Sequence, residues 1–292
     1  MKIIISIPAY NEEKHLGPVI KEIKDVMLET DYDFKILVLN DGSKDKTIEV
    51  AKKAGAIVYS NKRNLGLAET FKHEMQKCIE HKANIIIHTD ADGQYPAKFI
   101  PLMIKKIEEG NDLVLGSRFG KGDYSGSIMK KFGNIAFAKV FSGLLKTKLT
   151  DTTTGFRAFT TEVAELPLIN NFTYTQEQLI RAGKKRLKIT EIPITTRKTR
   201  PSRLFNGPLD YAFKAWINIL RIYRDFEPLK FFGQLGMFFL TIGFALGIWI
   251  LITLINTGGV GGIPRTILSA VFILTGIQVI LFGFLADMNK NK

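Results

Sequence analysis

The sequence predicts an α/β domain with a mostly parallel sheet, followed by an amphipathic helix and a two-helix membrane hairpin. Three observations predict it. Short β-branched runs alternate with helical patterns through residues 1–120, as in sheets covered by helices. One of those runs, Asn84-Ile85-Ile86-Ile87-His88-Thr89, stops at the acid pair Asp90-Ala91-Asp92. The C-terminal third has no charged residue from Phe231 to Pro264, and after Arg265 none until Asp287.

The first strand is expected over residues 2–7, too short an apolar run for the core of a signal peptide. Further strands are expected at 34–39, 56–59, 84–88 and 112–115. Helical spacing falls between them at 13–29, 45–54, 67–80 and 97–109. Ser43 and Asp45 are candidate caps for the second helix. Gly55 and Gly110 stand where helices end on a glycine. Beyond residue 120, Asp151-Thr152-Thr153-Thr154-Gly155-Phe156-Arg157 is expected to be a loop feeding a short strand. A helix is expected at 175–182 and a strand at 187–194. Arg197, Lys198, Arg200 and Arg203 then cluster, as a phosphate-binding loop or a solvated linker.

The segment 209–226 repeats Leu209, Phe213, Trp216, Ile217, Leu220 and Tyr223 at helical spacing, with Lys214, Arg221 and Arg224 beside them. It suits a helix lying in the bilayer interface, or one packed on the first domain. Two apolar stretches, about 232–255 and 263–286, each exceed the roughly 20 residues that cross a bilayer as a helix. Between them 256–262 is glycine-rich. Lys230, Arg224 and Arg221 precede the first span and Lys290 and Lys292 follow the second, whereas the connecting segment offers only Arg265. Both termini and the first domain are therefore expected in the cytoplasm. The expected organisation is a catalytic domain at 1–205, an interfacial helix at 206–230 and a hairpin at 231–288.

The net charge of +13 suits anionic lipid, phosphorylated substrates or nucleic acid. No nucleic-acid motif is present, and the membrane segment argues against that partner. The single cysteine, Cys78, excludes an intrachain disulfide.

Chemistry concentrates after three strands: Pro8-Ala9-Tyr10-Asn11-Glu12-Glu13, Asn40-Asp41-Gly42-Ser43-Lys44-Asp45 and Asp90-Ala91-Asp92-Gly93-Gln94. Parallel strands bring all three to one carboxyl edge, where ligands bind in open α/β sheets. Paired carboxylates there suit Mg²⁺ or Mn²⁺ riding on a substrate's phosphates. The other reading of the acid pair is an Asp-rich turn.

These motifs, with Gly116-Ser117-Arg118 and Thr154-Gly155-Phe156-Arg157, resemble glycosyltransferase family 2, the inverting enzymes of GT-A fold. Within it they are most similar to polyprenyl-phosphate glycosyltransferases of the dolichol-phosphate mannose synthase type. The resemblance implies sugar transfer, with mannose from GDP-mannose as the leading donor, to a polyprenyl or dolichyl phosphate. UDP-glucose and UDP-N-acetylglucosamine are the alternative donors. It implies that Pro8, Tyr10, Glu12, Leu39 and Asp41 line the nucleoside, and that Asp90, Ala91, Asp92 and Arg118 hold the donor. Asp90, Asp92 and Gln94 would bind the metal, and Asp92 and Arg118 would be the catalytic pair. Arg200 and Arg203 would close over the diphosphate, one residue closer together than the family pattern. Lys130, Lys131 and Asn134 would receive the acceptor phosphate. Asn40 stands where relatives often carry an acid. Glu177 matches a family glutamate that either lines the site or braces a basic side chain. His88, inside an apolar strand, is expected to be packed rather than catalytic.

Two competitors are weaker. A processive polysaccharide synthase would carry Gln-x-x-Arg-Trp; the nearest string is Gln178-Leu179-Ile180-Arg181-Ala182. A non-catalytic membrane scaffold would not need the intact acid pair.

Overall fold

The computed structural model describes residues 1–119, 138, 141–143, 145, 147–168, 174–197, 217, 220, 221, 223–259 and 262–289. The chain divides into two compact units, Met1–Ala212 and Phe213–Lys292.

In the first unit β1 (Lys2–Ala9), β2 (Asp33–Asn40), β3 (Ile57–Ser60) and β4 (Ile85–His88) alternate with α1 (Leu16–Leu28), α2 (Thr47–Lys53) and α3 (Leu67–Glu80). A 3₁₀ turn (Ala97–Phe99), α4 (Ile100–Glu108) and β5 (Leu113–Ser117) follow. Then come β6 (Arg157–Thr160), α5 (Thr161–Ala164), α6 (Tyr174–Lys184) and β7 (Ile189–Pro193). The sheet order is β3-β2-β1-β4-β6-β5-β7. All pairings are parallel except those of β6, which runs antiparallel to both β4 and β5. Every residue of β4 is buried, which is why it reads as a continuous apolar run rather than an alternating one. Ile3, Ile5, Ile7, Ile20, Ile36, Ile85, Ile87 and Met103 belong to the core between the sheet and its helices.

The expected strands are present. Gly55 and Gly110 adopt φ +78° and +89° after their helices, the left-handed conformation that a side chain would resist. Two expectations fail locally, and for one reason. The first helix begins at Leu16 rather than Glu13, and Ser43 does not cap the second. Their polar groups lace the first two loops together instead. Asn11 N–H donates to Ser43 Oγ at 2.9 Å, Glu12 N–H to Thr47 Oγ1 at 2.8 Å and Glu13 N–H to Asp45 Oδ2 at 3.2 Å. In return Lys44 N–H donates to Asn11 Oδ1 at 2.9 Å and Lys46 N–H to Glu13 Oε2 at 3.1 Å. Asp45 also accepts the Thr47 N–H at 3.0 Å. Five backbone donors are thereby satisfied across two chain segments, so neither loop needs to continue a helix.

The second unit contains α7 (Pro228–Thr257) and α8 (Ile263–Asn289). At 1.5 Å per residue both exceed the roughly 30 Å hydrocarbon core. Only 6% and 17% of their most apolar windows are buried, unlike the core helices of a soluble fold, and this exposure suggests membrane anchoring. The segment 206–230 expected at the interface lies largely outside the described residues.

The two helices meet along small residues. Gly236 and Gly243 of α7 and Ser269, Gly276 and Gly283 of α8 are buried. Both sets recur every seven residues, the period of a left-handed supercoil. A Cβ on Gly236 would lie 2.7 Å from the Gly276 carbonyl oxygen, and one on Gly276 would lie 2.8 Å from that of Gly236. The Ser269 hydroxyl donates to the Gly243 carbonyl at 2.8 Å. In a bilayer, close backbone approach of this kind would replace the hydrophobic drive that lipid removes. Gly276→Ala is therefore expected to destabilise the solubilised protein by about 2 kcal/mol through overpacking. Gly233→Ala, with nothing within 4 Å of the added carbon, should be neutral or slightly stabilising. Thermal melts of the two variants, read by monodispersity, compare them directly. Equal melting would show that the helices do not pack through this seam.

Candidate active site

Five chain segments converge on one edge of the sheet. The segments after β1, β2 and β4 arrive there because those strands are parallel neighbours. The segment after β5 joins them, and because β6 is antiparallel, so does the segment before it, with Arg157 opposite His88 and Leu115. Residues 151–156 thus lie beside the acid pair.

Asp90 and Asp92 are both partly exposed at this edge, as is Gln94. Asp92 Oδ1 accepts the Gln94 N–H at 3.0 Å, a local turn completed by Gly93 at φ +75°. Both readings of the acid pair therefore meet here: it is a turn, and it leaves carboxylate oxygens open to a ligand. Burial pushes the Asp90 carboxyl up to about 6, as does the charge of Asp92, while His88 and Arg118 oppose the rise. An acid whose ionisation is penalised by a neighbouring carboxylate is one that a cation would relieve. Gly155 backs Asp90 closely: a Cβ there would sit 3.3 Å from both of its carboxylate oxygens.

Among the described residues no group of three or more His, Cys, Asp or Glu side chains is placed to hold a metal. Two carboxylates lie here, with Gln94 two residues beyond them. That set fits Mg²⁺ or Mn²⁺ completed by phosphate oxygens better than an ion held by protein alone.

Arg118 reaches the same edge from the end of β5. Its Nε donates to Asp151 Oδ2 at 2.6 Å, and its second terminal nitrogen to Asp151 Oδ1 at 2.9 Å and Thr153 Oγ1 at 2.8 Å. Asp151 is fully buried. Glu191 of β7 fixes that segment by accepting the N–H groups of Thr150 and Asp151, both at 2.9 Å. The fork on Asp151 gives Arg118 one orientation.

Arg157 is fully buried, and its described partners are neutral: the carbonyls of Thr154 at 2.8 Å, Thr175 at 2.6 Å and Thr152 at 3.1 Å, and Gln178 Oε1 at 3.3 Å. Burial pulls its guanidinium down to about 10, still charged at neutral pH. It ties residues 152–154 to α6. Tyr95 stacks on Phe156 at 5.2 Å and 11°.

Among the other sequence-marked residues, Asp41 is buried and already engaged: it accepts from Asn61 Nδ2 at 2.8 Å, Leu65 N–H at 2.9 Å and Gly66 N–H at 3.0 Å. Pro8, Glu12, Leu39 and Ala91 are buried, and Tyr10 is exposed at the rim. Glu177 braces Arg181 at 2.8 Å. His88 is packed as expected, edge-on to Phe71 at 4.9 Å. Lys130, Lys131, Asn134, Arg200 and Arg203 lie outside the described residues. Asp151, Arg157 and Glu191 were not singled out as site residues; the run Asp151–Arg157 carried the only signal, a polar string ending in an arginine.

The family described as Glycosyl transferase family 2 matches residues 4–166. A dolichyl-phosphate hexose transferase of Haloferax volcanii is 31% identical over 67% of this chain and 83% of its own length. A bactoprenol glucosyl transferase of Shigella phage SfX is 27% identical over 98% of this chain and 93% of its own. Among solved structures, the glucosyl-3-phosphoglycerate synthase of Mycobacterium tuberculosis in complex with Mn²⁺ and UDP-glucose superposes with a TM-score of 0.59. It covers 76% of this chain and 78% of that one at 21% identity, a likeness of fold. The matched segment spans more than half of the 292 residues and contains the acid pair, Arg118 and the Asp151–Arg157 loop, so the chain belongs to glycosyl transferase family 2.

Proposed function

We propose that this glycosyltransferase moves a hexose from a nucleoside-diphosphate sugar onto the phosphate of a polyprenyl or dolichyl phosphate, at the cytoplasmic membrane face. One observation carries the reading: an open acid pair at the sheet edge shares a chain with two exposed apolar helices, and the bactoprenol glucosyl transferase matches both regions. The excess of basic residues before α7 and after α8 supports the cytoplasmic orientation. The proposed organisation is catalytic residues 1–205, an interfacial segment 206–230 and the hairpin 231–288.

In this reading Pro8, Tyr10, Glu12, Leu39 and Asp41 form the nucleoside wall, with the exposed Tyr10 ring offering a face to the base. Asp41 acts mainly by holding the 61–66 loop. Asp90, Asp92 and Gln94 hold Mg²⁺ or Mn²⁺, with Ala91 beside the donor. A divalent cation, when bound, supplies positive charge to the departing diphosphate. Arg118, fixed by Asp151, presents its guanidinium to the same diphosphate. Arg200 and Arg203 close over the donor, and Lys130, Lys131 and Asn134 receive the acceptor. An acceptor phosphate oxygen attacks the anomeric carbon from the face opposite the diphosphate, the bond to the diphosphate breaks, and configuration inverts. A phosphate monoester is already ionised at neutral pH, its second pKa being about 6. A general base adds little, in keeping with a buried, packed His88.

Mannose from GDP-mannose is the donor the motif resemblance implies. Glucose from UDP-glucose is the second reading, favoured by the full-length match to a glucosyl transferase. The test incubates solubilised protein with a panel of labelled GDP- and UDP-sugars, a polyprenyl phosphate and Mn²⁺, then extracts lipid. Label entering the lipid phase from one donor fixes the sugar; no label from any donor overturns the acceptor assignment.

The raised Asp90 carboxyl predicts a pH dependence. A proton competes with the cation below about pH 6, so Mn²⁺ affinity is expected to fall there, approaching tenfold per pH unit. In the metal-free protein the sign reverses. The stability linked to this carboxyl is present below its ordinary 3.8 and is lost as pH rises through about 6. Mn²⁺ titrations at pH 7.5 and 5.0 check the first statement; equal affinities would remove Asp90 from the metal site.

A further inference from the structure

Most hydroxyls in α7 and α8 that meet a polar partner find it in backbone. Thr241, Thr253 and Thr257 donate to carbonyls of their own helix, and Ser269 to one of the facing helix. Gln278 differs. It is exposed, and its amide has no hydrogen-bond partner among the described residues. It lies about 14 Å along the helix from Asp287 and about 20 Å from Arg265. With those charges at the two membrane surfaces, Gln278 sits near mid-bilayer and faces lipid, which offers an amide neither donor nor acceptor.

The residues around it form a pattern. Ile267, Val271, Leu274, Gln278, Leu281, Leu285 and Met288 alternate spacings of four and three, and the apolar members are all strongly exposed. This is a second seven-residue seam, about 160° around the helix from the Ser269–Gly276–Gly283 seam already used against α7. The aliphatic side chains alone would be equally content in lipid. The single amide is what distinguishes this face.

We propose that the outer seam of α8 is the contact between two copies of this chain, with the Gln278 amides bonding each other across a two-fold axis along the membrane normal. The occupant follows from the chemistry. A primary amide both donates and accepts, so it complements itself. Two copies inserted with the same topology present parallel α8 helices, and in a parallel pair with this repeat each seam position faces its own equivalent. One polar residue in an otherwise apolar seam fixes register and the number of helices. The inference depends on the two helices spanning a membrane, and not on the sugar or the acceptor.

The test uses the full-length protein, fluorescently labelled and reconstituted in phosphatidylcholine vesicles over a range of protein-to-lipid ratios, with energy transfer reporting association. Wild type is expected to dimerise. Gln278→Leu should weaken association about three- to tenfold, whereas Gln278→Asn, which keeps the amide, should retain most of it. A second arm needs no loss of polarity. Leu281→Cys and Leu285→Cys proteins should form intermolecular disulfides on oxidation, and Ile277→Cys, off the seam, should not; the native Cys78 is buried. A monomeric wild type, Gln278→Leu associating as tightly as wild type, or cross-linking at Ile277→Cys equal to that at Leu281→Cys would each overturn the proposal.

Discussion

Asp92→Asn is expected to lower sugar transfer by about 10³-fold or more while leaving the fold nearly as stable as wild type. The substitution separates the two readings of the acid pair. Asparagine keeps an oxygen for the Gln94 N–H, so the turn after β4 survives. It removes the negative charge that a divalent cation requires. Loss of charge stabilisation on a leaving diphosphate is worth several kcal/mol, and each 1.36 kcal/mol is tenfold in rate. Asp92→Ala should lose the same activity and, in addition, about 1 kcal/mol of stability with the turn bond. Turnover measured beside thermal melting checks both. Near-wild-type turnover in Asp92→Asn would leave the pair as a turn and end the metal reading.

Arg157→Leu is expected to destabilise the first unit by about 3 kcal/mol or more. The guanidinium satisfies three buried backbone carbonyls and the Gln178 amide oxygen at once. Removing it strips a donor from all four; the Thr175 carbonyl keeps its place in the α6 ladder, but each acceptor left unsatisfied costs on the order of 1 kcal/mol or more. Lysine should not rescue, since an ammonium cannot reproduce a planar fork reaching four acceptors. Activity should fall with stability, because residues 152–155 back Asp90 and carry Thr153 against Arg118. Arg197→Leu is the control. Its pair with Glu22 leaves both side chains in contact with solvent, and its loss should cost at most about 1 kcal/mol. Urea unfolding of the two variants makes the comparison; equal losses would mean that Arg157 carries no special share of the fold.

The strand and helix alternation, the three polar segments on one sheet edge and the two apolar spans were legible in the residues, because each is a local pattern. Ile85–His88 declared a buried strand by being apolar throughout, and Asp90 and Asp92 declared a site by following it directly. The antiparallel direction of β6 was not legible. Residues 118–156 separate it from β5, and no periodicity records which way a strand returns. With that direction hidden, so was the placement of Asp151, Gly155 and Arg157 at the acid pair. The same limit explains Glu13 and Ser43. Their helical and capping preferences are real, yet partners from another segment outcompeted them.

The sequence by itself determined the family, the sheet edge that carries chemistry and the presence of a C-terminal apolar pair, since hydrophobic period and motif spacing are properties of neighbouring residues. Only the tertiary structure decided that Asp151 orients Arg118, that Gly155 backs Asp90 while Arg157 ties the loop before it to α6, and that Ser269, Gly276 and Gly283 of α8 pack on α7 and leave Gln278 exposed. Hydrogen bonds and close approaches depend on distance in space, and residues far apart in the chain acquire that distance only when the strands and helices pack.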